Sequence, residues 1–268
     1  MDSFDTLVEQ YRKLEISQSK EEFDKSKINF VYHSNKLEGS NLTLIQTQEI
    51  IKHHAIKGEA SITDSLMAID HYRALNQALS FGANKYPLSE KMILQLHETL
   101  LKSSFEVDPF YENWKAQGQL PGAYKIKSNR ILFLQGDKET YYETPSPEQG
   151  KELVSKSISH YNQSTDSFII KLSKLVQNLY NAHAMFDGNK RITRLVIAQQ
   201  LIANNLPLIV LNYQNGEYNE ALIKGFINKN NTQLLQVLRQ RFTQYLAEKI
   251  ELNQKSKKVS GKGLGFIF

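Results

Sequence analysis

The stretch from Asn181 to Arg194, N-A-H-A-M-F-D-G-N-K-R-I-T-R, decides how the rest of the chain is read. It sets one histidine, one carboxylate, a glycine and three basic side chains between two apolar segments of helical periodicity. Asp187-Gly188-Asn189 precedes a predicted helix, so the N–H groups of Gly188, Asn189 and Lys190 leave its first turn without intrahelical partners. Those donors and the positive end of the helix dipole make an anion site. Arg191 and Arg194, three residues apart, share a helix face and can grip successive phosphates. Asp187 is a hard oxygen ligand of the kind Mg²⁺ takes beside a polyphosphate. His183, four residues earlier, titrates near neutral pH and suits a general base. Each group alone has an ordinary structural use; their conjunction in one loop points to phosphate chemistry.

Outward from this loop the chain reads as helices. Phe4, Leu7, Val8, Tyr11 and Leu14 mark a first helix, and a second starts near Lys20 and ends at Gly39. Thr43 and Gln46 form a capping box for a helix running to about Lys57. Further helices span Ile62 to about Phe81 and Pro87 to Leu101. Between Ser103 and Pro145 the texture turns irregular, and Tyr124–Phe133 with Tyr141-Tyr142 reads as a β-hairpin around Gly136-Asp137. Ser146-Pro147-Glu148 opens a helix to about Tyr161, and another from Asp166 leads into the central loop. Helices at Asn189–Ala203, Glu217–Asn228 and Thr232–Leu252 follow, with a Lys- and Ser-rich tail from Asn253.

The 268 residues can bury a sizeable core, and 40% hydrophobic with 23% charged residues is ordinary for a globular protein. The net charge of +5 is mild and the basic residues are scattered, which argues against a nucleic-acid surface. The absence of cysteine excludes disulfides, thiolate catalysis and cysteine-based metal sites. The acidic N-terminus has no signal-peptide pattern, and the most apolar window, Leu195 to Leu211, is too interrupted to span a bilayer. A cytoplasmic protein without a membrane segment is expected.

His183 to Arg194 resembles the signature of the Fic (Fic/Doc) family, H-x-F-x-D/E-G-N-G-R-x-x-R, matching at His183, Asp187, Gly188, Asn189, Arg191 and Arg194. The resemblance extends over roughly Ser89 to Leu246. It implies a mainly α fold, a Fic-like helical bundle with a small β-hairpin flap. The expected divisions are 1–60 for N-terminal helices, 61–252 for the core domain with the flap, and 253–268 for a flexible basic tail. As the resemblance implies, the chain is a protein adenylyltransferase that uses ATP and Mg²⁺ to place AMP on a Ser, Thr or Tyr hydroxyl of a target protein. His183 is then the base and Asp187 the metal ligand. Gly188, Asn189 and Lys190 line the phosphate hole, Arg191 and Arg194 hold the β- and γ-phosphates, and Tyr218 and Asn219 lie near the adenine. The flap residues Ile131, Leu132, Phe133 and Leu134 dock the target by strand addition. The oligomeric state is left open.

Three positions depart from the signature. Met185 replaces the phenylalanine, Ala184 a common proline, and Lys190 the second glycine. Lysine at this place resembles the Doc branch, which transfers the γ-phosphate, so phosphate transfer and a non-catalytic binding module are alternatives. Removal of AMP from a modified protein is a further one. Near the N-terminus, Ser34-Asn35-Lys36-Leu37-Glu38-Gly39 resembles the family's inhibitory motif, S/T-x-x-x-E-G/N. The resemblance implies that Glu38 pairs with Arg194 and occupies the γ-phosphate grip.

Overall fold

Eleven α-helices and one β-hairpin make up the regular structure among the described residues, which in this computed structural model are 3–55, 58–135, 138–212 and 216–260. In chain order these are α1 (Ser3–Lys13), α2 (Lys20–Lys36), α3 (Leu44–His53), α4 (Ile62–Ala83), α5 (Glu90–Val107) and α6 (Glu112–Ala116). A 3₁₀ turn at Pro109–Tyr111 introduces α6. After β1 (Arg130–Gln135) and β2 (Lys138–Glu143) come α7 (Pro147–Gln163), α8 (Phe168–Ala182), α9 (Asn189–Ala203), α10 (Glu217–Asn228) and α11 (Thr232–Ser260). The fold is mainly α, as the sequence predicts.

Local chemistry explains where most helices begin. Thr43 and Ser146 accept the amides of Gln46 and Gln149, whose side chains bond back to the cap residue, closing two capping boxes. Ser19, Ser61 and Ser89 cap α2, α4 and α5 through their hydroxyls. These side chains satisfy amides that would otherwise lack partners.

The helix carrying the central motif is the structural axis. Leu195, Val196 and Ala198 of α9 face one apolar cluster with α4 and α5, while Ile197 and Leu201 face a second with α1, α8, α10 and α11. A helix buried all round must satisfy its polar side chains internally. Gln199 donates to the Tyr86 carbonyl at 3.3 Å, and Gln200 accepts from Tyr161 Oη at 2.6 Å. Burial on every side fixes how far Arg191 and Arg194 can move.

Several expectations are corrected. Helix α5 runs on to Val107, because Phe105 is buried in the core and Asp70, itself buried, accepts from the amide and hydroxyl of Ser103. Helix α3 stops at His53, with His54 left-handed at its cap; Lys57 lies outside the described residues. Residues 124–129 are not strand. Gln119 accepts the Ile126 amide and donates to the Tyr124 carbonyl, so its side chain takes the place of a strand partner there. The hairpin pairs Arg130 with Glu143 through Gln135 with Lys138, and its Gly136-Asp137 turn lies outside the described residues. Helix α11 passes Leu252 and reaches Ser260, while 261–268 lie outside the described residues. No helix among the described residues is long and apolar enough to cross a membrane.

Candidate active site

The loop between α8 and α9 turns in two left-handed steps. His183, with φ 40°, ends α8, and Gly188, with φ 75°, begins α9. At Gly188 any side chain is strained by that backbone angle, and a Cβ would also stand 3.3 Å from Leu100 Cδ2. The loop is held from three sides. Asn189 Oδ1 accepts the Met185 amide at 3.1 Å and its Nδ2 donates to the Met185 carbonyl at 2.9 Å. His97 of α5 donates from Nε2 to the Asp187 carbonyl at 3.1 Å and accepts the Gly122 amide on Nδ1 at 3.0 Å. Phe186 sits among the rings of His97, Phe105, Tyr111 and Trp114, with centroids 5.4 to 5.9 Å away. Met185 is buried as well, so the thioether at the signature phenylalanine position packs in the core.

Above the loop lies a cavity of about 490 Å³, lined by His183, Asp187, Gly188, Asn189, Lys190, Tyr180, the flap residues Ile131 and Leu132, and Glu38. No side chain caps α9, so its N-terminus forms part of the cavity wall as an open anion site. Burial first, and then the nearby Lys125 cation, push the pKa of His183 down to about 3. The imidazole is therefore neutral at pH 7 and available as a base. Its Nδ1 lies 3.1 Å from Asn129 Oδ1.

Asp187 Oδ2 accepts from Tyr111 Oη at 2.7 Å and Arg191 Nη2 at 2.8 Å. Burial alone would raise its pKa, but Arg191 and then Tyr111 keep it below the usual carboxylate range. Both side-chain contacts fall on Oδ2, and the Gly188 backbone amide also hydrogen-bonds the carboxylate. No cluster of three or more metal-ligating side chains occurs among the described residues. A single carboxylate beside an anion site suits Mg²⁺, which is usually held by one or two carboxylates, waters and substrate phosphates.

The two arginines do not act as a pair. Arg191 is committed to Asp187 beneath the cavity. Arg194, 1% exposed in its side chain, turns to the N-terminal segment. Its Nη2 meets Glu38 Oε1 at 2.5 Å and the Ser34 carbonyl at 3.2 Å, and Nε donates to Ser34 Oγ at 2.6 Å. Lys190 Nζ lies 3.3 Å from the other oxygen, Glu38 Oε2. Burial would lift the Glu38 carboxyl, but Arg194, followed by Lys190 and Arg191, holds its pKa down at about 2. Glu38 lies in the turn after α2 rather than in the helix, and Gly39 follows with φ 93°. Asn219 accepts from Arg194 Nη1 at 3.3 Å and donates to the Leu37 carbonyl at 3.0 Å, tying this turn to α10.

Of the residues singled out from sequence, His183, Asp187, Gly188, Asn189, Lys190, Glu38, Ile131 and Leu132 meet at one cavity. Tyr218 does not line it. It is buried, bonded to Thr193 at 2.8 Å and stacked below the Arg194 guanidinium. Asn219 supports Arg194 and Leu37. Phe133 lies on the flap beside Leu132; the Leu134 side chain is outside the described residues, though its backbone pairs with Glu139. Residues not anticipated are Asn129, Lys125, Tyr111, His97 and His71. Buried His71 of α4 contacts Asn35 Oδ1 at 2.6 Å through Nδ1 and Ser34 Oγ at 3.5 Å through Nε2, bracing the end of α2 that precedes Glu38. Histidines on apolar helix faces carried no local signal.

The molecule is a helical domain built round a His–Asp–Gly loop, with two residues of a hairpin lining the cavity above it. Residues 87–201 match the family model described as "Fic/DOC family", and the chain carries a Fic/DOC domain. Proteins with this domain typically transfer nucleotide or phosphate groups onto proteins. A Fic domain containing signaling protein from Bacteroides thetaiotaomicron VPI-5482 superposes with a TM-score of 0.79 at 22% identity, covering 95% of this chain and 97% of that one. Fic-1 (residues 134–508) from C. elegans gives 0.72 at 18% identity, over 94% and 72% of the two chains. A Fic family protein from Desulfovibrio desulfuricans G20 gives 0.67 at 14% identity, over 99% and 77%. Comparison with curated proteins gives no match.

Proposed function

We propose that the chain is a self-inhibited protein adenylyltransferase that moves AMP from Mg-ATP to a Ser, Thr or Tyr hydroxyl of a target protein. The observation that carries this reading is the contact of Glu38 with Arg194 at 2.5 Å beside an open helix N-terminus and a neutral histidine. A carboxylate spent on that arginine occupies the place where a terminal phosphate would be gripped. The alternative use of the same pair is structural, a plain tie between the N-terminal helices and the core.

In the proposed reaction the target segment adds to the β1 edge of the flap, beside Ile131 and Leu132. His183 takes the proton of the target hydroxyl on Nε2. The hydroxyl oxygen forms a bond to the α-phosphorus as the bond to pyrophosphate breaks, and the proton remains on the imidazole until solvent removes it. Asp187 would hold Mg²⁺, which would neutralise charge on the leaving phosphates. The α9 N-terminus binds phosphate oxygens through its amides, and Arg194, once freed of Glu38, holds the terminal phosphate.

Phosphate transfer is the second reading, and Lys190 carries it, since it stands where the signature has its second glycine, a substitution that resembles the Doc branch. Incubation of the Glu38→Gly protein with α-labelled or γ-labelled ATP separates the two. Label retained on protein from the α position alone supports AMP transfer; label from the γ position alone sinks it. His183→Ala abolishes either signal. ATP binding by calorimetry with no label from either position leaves a binding module.

A further inference from the structure

We propose that Lys125 and Asn129 form a positioning relay that fixes His183 with its proton on Nδ1 and its Nε2 bare. Neither residue belongs to the central motif, and both precede the flap strands.

The relay follows from donor and acceptor counting. Asn129 Nδ2 donates to the carbonyls of Met185 and Phe186 at 3.3 and 3.2 Å. With the amide nitrogen committed there, the opposite side of the group must be oxygen. That oxygen, Oδ1, lies 3.0 Å from Lys125 Nζ and 2.7 Å from Thr144 Oγ1. It also lies 3.1 Å from His183 Nδ1. An amide oxygen only accepts, so the histidine nitrogen facing it must carry hydrogen, and Nε2 keeps its lone pair. A free imidazole has no such constraint. Asn189 Nδ2 stands 3.4 Å from the same histidine nitrogen and gives one of its two hydrogens to the Met185 carbonyl at 2.9 Å; the shorter contact, 3.1 Å to Asn129 Oδ1, is the one that selects a proton on Nδ1.

Lys125 makes the arrangement rigid. The residue is 1% exposed, it donates to Thr144 Oγ1 at 2.7 Å, and no carboxylate pairs with it among the described residues. Its own backbone amide bonds the Ala184 carbonyl at 2.9 Å, so the lysine is anchored on the residue after His183. A buried cation without a counterion is costly unless its hydrogen bonds are met. Here two of its three donors are met, one by Thr144 Oγ1 and one by the oxygen that orients the histidine. Serine-protease triads orient their histidine with a carboxylate, which also stabilises the charged ring. A neutral amide polarised by a cation orients the ring and leaves it uncharged, with Asp187 and Lys190 as the other charges facing it. The proposal extends the assignment of His183 as base, but the tautomer can be read without any reaction.

The test is nitrogen-15 NMR of the full chain at pH 7, with His183 identified by its loss in His183→Gln. The expected wild-type spectrum has protonated Nδ1 and bare Nε2. Asn129→Leu is expected to redistribute the proton toward Nε2, and Lys125→Met to do so partially, with Lys125→Arg restoring the wild-type pattern. In the Glu38→Gly background, Asn129→Leu lowers kcat for label transfer about tenfold or more, within the span of general-base effects, while ATP affinity stays within about twofold. A bare Nδ1 in the wild-type protein overturns the proposal without any variant. An unchanged tautomer in folded Asn129→Leu also overturns it, and one unchanged in folded Lys125→Met removes the lysine from the relay. Absence of label transfer with the expected tautomer pattern would instead count against the adenylyltransferase reading.

Discussion

Glu38→Gln removes one charge and almost no volume, so it isolates what the carboxylate does to Arg194 and Lys190. The Arg194 pair is nearly buried, with side chains 1% and 16% exposed, and breaking such a pair costs about 3 kcal/mol. The Lys190 contact at 3.3 Å involves a lysine 29% exposed and contributes about 0.5 kcal/mol. Arg194 keeps Ser34 and Asn219 as partners, which reduces the loss, and about 2–3 kcal/mol is the net expectation. For a chain of 268 residues this lowers Tm by roughly 5 °C. If the same contact must open before a terminal phosphate is gripped, transfer rises by about 30- to 150-fold, at 1.4 kcal/mol per tenfold. Differential scanning calorimetry and labelled-ATP transfer, run on the same preparation, read both quantities. A lowered Tm with unchanged transfer from either label would falsify the inhibitory reading and leave the pair structural. Salt separates the two cations further: screening acts on the exposed lysine more than on the buried arginine, so 0.5 M salt should mimic only a small part of the variant's effect.

Lys190→Gly in the Glu38→Gly background should raise the ratio of α to γ label several-fold, because the only cationic side chain on the first turn's cavity face is gone; an unchanged ratio removes Lys190 as the selector. Acid should destabilise the fold through His97, whose pKa burial pushes down to about 4. The unfolded chain takes up this proton first, so stability is full above pH 6.5, falls between 6.5 and 4, and levels below that. One such histidine costs about 2 kcal/mol on going from pH 7 to pH 5, and His183 acts in the same direction. Urea midpoints at the two pH values check this, and His97→Gln should flatten the slope. Gly150→Ala would put a Cβ 2.9 Å from the Ala182 carbonyl and 3.3 Å from Ala184 Cα, backbone that carries His183. It should cost about 1–3 kcal/mol and slow transfer together, measured by denaturation and label incorporation.

Much of the scaffold was legible because its signals are local. The capping box at Thr43, the helix start at Ser146-Pro147 and the Asn189–Ala203 helix behind Gly188 lie where hydrogen-bonding chemistry and apolar period place them. The active loop was legible for the same reason, since His183, Asp187 and Gly188 lie within six residues. Residues 124–129 misled, because their aromatic and β-branched content fits a strand and nothing local says that Gln119 will take over their backbone partners.

The sequence alone determined a helical protein with one phosphate-type loop, a hairpin beside it and a glutamate motif far upstream. The pairing of Arg194 with Glu38 was already implied by the resemblance; only the tertiary structure decided that Arg191 goes to Asp187, that Lys190 joins Arg194 at Glu38, and that Lys125 goes to the amide behind His183. It also buried Tyr218 under Arg194 rather than beside the cavity. A guanidinium at i and another at i+3 look alike along a helix. Which charge each meets depends on the partner that packing brings to it, and those partners come from segments over a hundred residues away or from the turn just before.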